Sequence, residues 1–262
     1  MHVRPARASD LADLATIARD AMFDDELTVF LAPHRHEHPE CLRQGCLRRV
    51  KKRFYDGHLV LAAVSDENDS WWDGEEKVVG YLSATSTKQQ KDEEMEKKSW
   101  LSFSWNGIFM TSSRPESSSL ITGTAFELQL LRLEDLFEWY THADRSISRQ
   151  AWLQFQNSVH DRGPLSDIND YWEVDHLSVN PAYHRKGIGS TMVKYMQTVA
   201  SKDNLPIVLV ASKKGRPMYK KLGFVDYGAC NMGGGLVAEA MAWYPSTLAN
   251  SHSAGETEDV HS

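Results

Sequence analysis

Apolar residues recur along the first part of the chain with two periods, one typical of strands and one typical of helices. Val3 to Ala6 is predicted to be a short strand. A helix follows, with Ser9 as its predicted N-cap. Its apolar face comprises Leu11, Leu14, Ile17, Ala18 and Ala21. A second helical piece is predicted over residues 24–31, because Pro33 prevents its continuation.

A basic amphipathic helix is predicted next, with Gly57 at its end. Its apolar positions are Leu42, Cys46, Val50 and Phe54. The basic cluster Arg48 to Arg53 alternates with them and has two interpretations, an exposed helix face or a nuclear address. Two strands, 59–65 and 77–84, follow and are joined by a polar link that contains tryptophan.

The C-terminal half repeats this alternation of strands and helices. Residues 172–179 form an apolar, β-branched run that ends at Asn180-Pro181 and is predicted to be a strand. A helix over 191–200 and a buried strand over 206–211 come next. The strands 223–230 and 236–243 are joined by three glycines, Gly233 to Gly235, which predict a hairpin. From Ser246 onward the sequence is small and polar, so a disordered tail is expected.

Residues 85–170 form an insertion between these two halves. It begins with a charged run, 91–98, and continues through a serine-rich stretch, 111–119. An amphipathic helical region then carries Leu128, Leu131, Leu133, Phe137, Trp139 and Tyr140, followed by Trp152, Leu153 and Phe155. This much apolar surface cannot belong to a solvated linker, so the region is predicted to pack as helices beside the sheet.

Composition narrows the class of protein. The chain has 262 residues, of which 41% are hydrophobic and 25% are charged. This size and composition fit one large domain, residues 1–245, that contains the insertion. No segment has the roughly 20 apolar residues that span a bilayer, and the N-terminus has no apolar signal-peptide core. The cysteines Cys41, Cys46 and Cys230 lack C-x-x-C spacing, so neither a disulfide nor a metal site is expected. The net charge of −7 argues against nucleic acid as a partner. A cytoplasmic protein, or a nuclear one, is predicted.

The heptapeptide His184-Arg185-Lys186-Gly187-Ile188-Gly189-Ser190 lies at a strand-to-helix junction. Unpaired N–H groups of the first helical turn and the helix dipole favour a phosphate group there. A dinucleotide fingerprint needs a third small residue where Met192 stands, and a P-loop needs Gly-Lys-Ser/Thr after a longer loop. Both of those phosphate-binding motifs are therefore excluded.

The loop resembles motif A of the GCN5-related N-acetyltransferase (GNAT) superfamily, Gln/Arg-x-x-Gly-x-Gly/Ala, with His184 where Gln or Arg is usual. Residues 216–224 resemble motif B, in which a tyrosine precedes a Gly-Phe pair, here Tyr219. The resemblance covers residues 1–85 weakly and 170–245 well. It implies an α/β fold in which helices flank a mixed central sheet. It also implies that His184 to Ser190 hold the pyrophosphate of acetyl-CoA.

The same resemblance implies roles for the preceding strand. Glu173 lies eleven residues before His184, the spacing at which histone acetyltransferases of the superfamily place their general base. Asp175 falls on the same strand face by alternation, and His176 is predicted to point to the opposite face as a core residue. The resemblance further implies that Leu177 donates a main-chain N–H to the thioester oxygen and that Ser178 and Val179 contact the cofactor. Tyr219 would contact the cofactor and protonate the leaving thiolate.

The acceptor is less well defined. The acidic groups Asp24-Asp25-Glu26 and Asp92, Glu93, Glu94 and Glu96 either attract a cationic amine or form solvated helix faces. The predicted function is acetylation of a primary amine of a small molecule, by direct transfer because no Cys or Ser is placed for a covalent intermediate. The alternatives are a protein or peptide N-acetyltransferase and a non-catalytic acyl-CoA-binding protein. The insertion is a candidate roof over the acceptor site or a dimer contact, and the chain is predicted to be a monomer or a homodimer.

Overall fold

A seven-stranded mixed sheet organises the chain, with strand order β1-β2-β3-β4-β5-β7-β6. The computed structural model describes residues 1–88, 91, 118–159, 163–165 and 167–248. The strands are β1 (His2–Pro5), β2 (Leu59–Val64), β3 (Val78–Ser86), β4 (Trp172–Val179), β5 (Ile207–Ala211), β6 (Val225–Gly233) and β7 (Leu236–Trp243). The α/β class and the mixed central sheet predicted from the sequence are confirmed.

Helices cover both faces of the sheet. They are α1 (Leu11–Met22), α2 (Glu26–Leu31), α3 (Pro39–Tyr55), α4 (Ser118–Thr141), α5 (Arg149–Val159), α6 (Ile188–Asp203) and α7 (Arg216–Lys221). Short 3-10 helices span Ala8–Asp10, Gly163–Leu165 and Pro181–Tyr183. The predicted end of α3 at Gly57 is confirmed, since that residue has a φ of +80°.

The predicted N-cap Ser9 is wrong. Ser9 lies inside the 3-10 helix that precedes α1, and its side chain caps neither helix. The carboxylate of Asp10 instead accepts the Arg7 N–H at 2.7 Å and forms an ion pair with Arg4 at 2.6 Å. The carboxylate of Asp10, one residue after the predicted N-cap, thus links the end of β1 to the start of α1.

Two apolar clusters lie on opposite faces of the sheet. One packs α6 against the sheet through Met192 and Met196. Its close contact depends on Gly80, where an added Cβ would lie 2.9 Å from the Met192 sulfur. The other cluster joins α1 and α3 to the sheet and includes Val50 and the fully buried Tyr81. Different helices therefore cover the two faces of the sheet, with α6 on one face and α1 and α3 on the other.

The two insertion helices pack in different ways. Helix α5 lies against β6, where an added Cβ at Gly233 would approach the backbone of Gln154 to 3.1 Å. Helix α4 packs on α3 instead, and Arg48 forms ion pairs with Asp135 and Glu138. In α4, Leu131 is buried, whereas Leu133, Phe137 and Tyr140 are 61%, 65% and 85% exposed. The prediction that the apolar residues of α4 pack beside the sheet is therefore wrong for these three. The side chain of Trp139 lies outside the described residues.

Several predictions fall wholly or partly outside the part of the chain that the structure describes. Most of the charged run and of the serine-rich stretch lies there, as do residues 249–262 of the predicted tail. Residues 246–248, assigned to that tail from the sequence, form a helical turn. All three cysteines carry free thiols. Among the described residues, no helix is both long and apolar enough to cross a bilayer, and no group of three metal-ligating side chains occurs.

Candidate active site

The parallel strands β4 and β5 separate soon after they begin. Their pairing is confined to Trp172 with Ile207 and Glu173 with Val208. Beyond Glu173, β4 stays paired with β3, and β5 stays paired with β7. One edge of β4 is thereby left without a strand partner at the centre of the sheet, which is a place where an extended ligand can bind.

A β-bulge at Asp175 accompanies this separation. His176 pairs with Ser83 and Val174 pairs with the next residue, Ala84, so Asp175 has no partner on β3. The bulge also reverses the alternation of side chains. Val174 and Leu177 both contact the apolar cluster on the α6 face, although an odd number of steps separates them along the chain.

The same reversal sets the direction of the main-chain N–H groups of β4. The Trp172 N–H donates to Pro206 on the β5 side at 2.8 Å, whereas the Asn180 N–H donates to Val79 on the β3 side at 2.9 Å. Because N–H groups of a strand alternate in direction, those of Leu177 and Val179 point away from β3 and into the gap. The geometry thus provides two backbone donors where the resemblance implied one at Leu177.

A cavity of about 570 Å³ opens beside this gap. Its walls come from both faces of the sheet and from the insertion. They include Glu173, Asp175, His176, Leu177, Leu209, Ala211, Tyr219, Arg49, Arg53, Tyr81, Leu27, Leu31, Ile147, Trp152 and Phe155. The predicted catalytic residues Glu173, Asp175 and Tyr219 therefore share one cavity, and helix α5 contributes to its wall.

Tyr219 lies on α7 and is 7% exposed. Its ring packs edge-on against Phe224, with the centroids 5.4 Å apart, and an added Cβ at Gly215 would lie 3.2 Å from it. Burial raises the pKa of the Tyr219 hydroxyl above its ordinary value, so the hydroxyl keeps its proton at neutral pH. It makes no hydrogen bond to any described residue. A protonated, unengaged hydroxyl at the wall of the cavity suits a proton donor.

Asp175 has a partner that the sequence did not reveal. Its Oδ2 lies 3.0 Å from Nδ1 of His58, and each side chain is 19% exposed. His58 stands between α3 and β2, 117 residues away along the chain, so no local pattern links the two. The pair resembles the arrangement in which a carboxylate orients an imidazole. Glu173 is half-buried and lines the cavity.

The side chain of His176 lies on a different face of the sheet from the one that strand alternation predicts. The bulge turns its ring toward Tyr81, whose centroid is 4.7 Å away and which belongs to the cluster under α1 and α3. Its Nε2 lies 2.6 Å from Oγ of Ser178, and burial lowers the pKa of His176 to about 3. The prediction of a hydrogen-bonded histidine is confirmed, but His176 is half-buried and lines the cavity, so it is not a core residue, and the predicted face is wrong. The Ser178 hydroxyl is engaged by His176, and the Ser178 N–H, which alternates with those of Leu177 and Val179, points toward β3.

The glycine loop has the geometry of an anion-binding turn. Arg185 and Gly187 have φ angles of +62° and +79°, and Gly187 is the N-cap of α6. The N–H groups of Ile188, Gly189 and Ser190 belong to the first turn, where helical N–H groups lack intrahelical acceptors. An added Cβ at Gly189 would lie 3.3 Å from the Met218 sulfur, whereas open space surrounds that of Gly187. The loop therefore fits a phosphate through its backbone.

Two of the three basic side chains of this loop, those of Lys186 and His184, contact neighbouring groups. The ammonium of Lys186 lies 5.2 Å from the ring centroid of Trp71 and 5.7 Å from that of Tyr183. The imidazole of His184 donates from Nε2 to the Val179 carbonyl at 2.9 Å. Arg185 is exposed. Trp71, from the link between β2 and β3, was not among the predicted site residues.

The acidic groups near α2 line the cavity, but each is engaged. Asp25 accepts the Leu27 N–H at 3.1 Å, and Glu26 pairs with Lys213 at 2.9 Å. Asp24 lies 3.4 Å from the guanidinium of Arg35. The four acidic residues at 92–96 lie outside the described residues.

The known proteins that this chain resembles are acetyltransferases. Residues 163–245 match the family model described as an acetyltransferase (GNAT) domain. A Stachybotrys chartarum protein named acetyltransferase is 20% identical over 226 residues, covering 86% of this chain and 81% of the relative. A Corynebacterium glutamicum structure, described as histone acetyltransferase HPA2 and related acetyltransferase, is 14% identical with a TM-score of 0.53, covering 93% of this chain and 96% of that one. An N-acetyltransferase structure from Staphylococcus aureus Mu50 is 15% identical with a TM-score of 0.50, covering 93% of this chain and all of the other (100%). The separated strands, the glycine loop and these matches together show that the chain is similar to GNAT acetyltransferases, whose domain model its residues 163–245 match.

Proposed function

We propose that the protein is an acetyl-CoA-dependent N-acetyltransferase that acetylates a primary amine of a small molecule by direct transfer in a ternary complex. One observation carries the proposal. The gap between β4 and β5 has main-chain donors along one edge, carboxylates at its start and an unengaged tyrosine hydroxyl in the same cavity. These are the groups that acyl transfer to an amine requires.

The residues around the gap support binding of acetyl-CoA through its pyrophosphate and its pantetheine. The first-turn N–H groups of Ile188, Gly189 and Ser190 would hold the pyrophosphate, and Arg185 and Lys186 would add positive charge. The backbone of β4 from Leu177 to Val179 would bind the pantetheine as a strand binds a partner. When bound, the thioester supplies the activated acetyl group.

The protein's own groups then manage charge and protons. Glu173, or Asp175 with His58, would take a proton from the ammonium of the acceptor, directly or through water, so that a neutral amine attacks. The Leu177 N–H would stabilise the oxyanion that develops on the carbonyl. Tyr219 would give its proton to the departing thiolate, and the second proton that the nitrogen loses as the amide forms would restore the tyrosine through solvent. The products are an amide, a thiol and one proton, which the base releases to solvent.

The walls of the cavity favour a small acceptor over a peptide. Helix α5 contributes Trp152 and Phe155, whose ring centroids are 5.8 Å apart, and Ile147 lies just before that helix. Together with Leu27 and Leu31 of α2, these apolar side chains line the acceptor side. The hypothesis that the insertion roofs the acceptor site is supported by the lining residues that it contributes.

The test is a panel of acceptors assayed for coenzyme A release, with calorimetric titration of acetyl-CoA in parallel. The panel contains amino acids, arylalkylamines, polyamines, an aminoglycoside and a histone-tail peptide. Turnover with a small amine is expected. Turnover with the peptide alone would favour a protein N-acetyltransferase, and cofactor binding without turnover of any acceptor would favour a binding protein. An absence of acetyl-CoA binding would reject the proposal as a whole.

A further inference from the structure

Two arginines of α3, Arg49 and Arg53, lie one helical turn apart and both line the acceptor side of the cavity. Their neighbours on the same helix are used differently. Arg43 forms an ion pair with Glu40 at 2.6 Å, and Arg48 forms ion pairs with two carboxylates of α4. The basic cluster is therefore not one exposed helix face, because part of it faces the cavity and part of it binds the insertion.

Neither guanidinium has a carboxylate partner among the described residues. Arg49 donates from Nη2 to the Cys46 sulfur at 3.3 Å, a weak acceptor. Arg53 is half-buried and donates from Nη1 to the Tyr81 hydroxyl at 3.2 Å. Of the other cations that line the cavity, Arg19 pairs with Asp20 and Lys213 with Glu26, whereas Lys214 is exposed and has no ion pair among the described residues. Arg49 is exposed to solvent, whereas Arg53 is half-buried, so an anion that enters the cavity can pair with Arg53 first and with Arg49 beside it.

These arginines lie close to the reacting end of the cavity. Arg53 contacts Tyr81, Tyr81 packs against His176, and His176 follows Asp175 in the bulge. The positive charges of Arg53 and Arg49 also help to lower the pKa of His176, which is consistent with that proximity. Arg53 is therefore linked to the bulge through Tyr81 and His176, and both arginines line the same cavity as the carboxylates assigned to the amine.

We propose that Arg49 and Arg53 form a subsite for a carboxylate, and that the acceptor is an amino acid, which carries both an amine and a carboxylate. The inference rests on the proposed function and specifies its substrate. Paired guanidiniums bind a carboxylate through parallel N–H donors, while Glu173 and Asp175 lie near the amine. The apolar wall of Trp152, Phe155 and Leu31 would receive the rest of the molecule, which favours an apolar side chain.

Matched acceptor pairs test the proposal. Phenylalanine and phenethylamine, and tryptophan and tryptamine, differ only by the carboxylate. With the full chain, we expect kcat/KM to be at least tenfold higher for the amino acid in one or both pairs. We expect Arg53→Gln to raise the KM for that amino acid at least tenfold, and Arg49→Gln to raise it severalfold. The KM for the decarboxylated amine should change less than twofold in both variants. Arg53→Lys, which keeps the charge, should restore part of the affinity.

Arg43→Gln is the matched control, because Arg43 is on the same helix, is ion-paired and does not line the cavity. It should leave both kinetic constants unchanged. Thermal unfolding and the acetyl-CoA dissociation constant of each variant establish that the fold and the cofactor site persist.

The outcomes distinguish failure of the carboxylate subsite from failure of the proposed N-acetyltransferase function. Equal or better turnover of the decarboxylated amines by the wild-type protein would overturn the carboxylate subsite while leaving the N-acetyltransferase intact. An amino-acid preference that survives in Arg49→Gln/Arg53→Gln would also overturn it. Failure of every small acceptor would overturn both the subsite and the small-molecule assignment.

Discussion

The two ends of β4 are built in different ways, and we assign them different roles. Its C-terminal end leads through a short 3-10 helix into the glycine loop, so the proposed cofactor site, residues 177–190, comes from one continuous segment. Its N-terminal end faces a cavity whose walls come from α1 to α3, α5, β5, α7 and the β6–β7 hairpin. A site built from one segment follows from local spacing, whereas a site built from many depends on how distant elements pack.

This contrast has a kinetic consequence. If the loop end holds the cofactor and the cavity end performs the chemistry, variants at the two ends should separate into changes of cofactor affinity and changes of kcat. A variant at either end that changed both quantities together would contradict this division.

Tyr219→Phe removes the proposed proton donor. It should lower kcat by about 10²- to 10³-fold and leave the acetyl-CoA dissociation constant within about twofold, because the interaction is made late in the reaction. Since burial raises the pKa of Tyr219, the hydroxyl remains protonated, and the loss should be the same at pH 7 and pH 9. Rapid-mixing kinetics would reveal the chemical step if product release is slower. Tyr195→Phe on α6 is the control, and an unchanged kcat in Tyr219→Phe would reduce Tyr219 to a packing residue.

The carboxylates of the cavity should show redundancy. Glu173→Gln and Asp175→Asn are each expected to lower kcat/KM about tenfold, mainly on the acidic side of the pH profile, and the double variant about 10²-fold. A base must be deprotonated to act, so its loss is seen where solvent hydroxide is scarcest. Glu67→Gln is the control, because Glu67 is an exposed carboxylate in the link between β2 and β3. A double variant with the wild-type profile would show that neither carboxylate is the base.

Gly189→Glu tests the loop end. The new side chain would meet Met218, 3.3 Å from the Cβ position, and would place a negative charge beside the first-turn N–H groups. We expect acetyl-CoA affinity to fall at least tenfold, about 1.4 kcal/mol or more, by calorimetric titration. Ser201→Glu adds the same charge at the other end of α6 and should bind normally. Equal affinities in the two folded variants would contradict the phosphate-binding assignment of the loop.

His58→Gln gives the smallest expected effect. Loss of the contact to Asp175 should lower kcat by about three- to tenfold and change the acidic limb of the pH profile, while cofactor affinity stays constant. In the Asp175→Asn background the same change should add little, because the two groups act as a pair. Full additivity in that double-mutant cycle would show that His58 acts independently of Asp175.

The sequence predicted most of the fold and the loop end of the site, because strand–helix alternation and glycine spacing are local signals. It placed β4 and β7 at their observed bounds. It missed the bulge at Asp175, which depends on pairing with β3, and so put His176 on the wrong face. It also missed His58 and the cavity-facing Arg49 and Arg53, because the docking of α3 decides which of its basic residues face the site.

A crystal structure with bound coenzyme A tests the central claim most directly. We expect the pantetheine to run through the gap between β4 and β5 with hydrogen bonds to the main chain of Leu177 and Val179. The pyrophosphate should contact the N–H groups that begin α6, and the sulfur should lie within about 3.5 Å of the Tyr219 hydroxyl. A coenzyme A bound elsewhere, with the gap closed by side chains, would contradict the assignment of this gap as the site of acyl transfer.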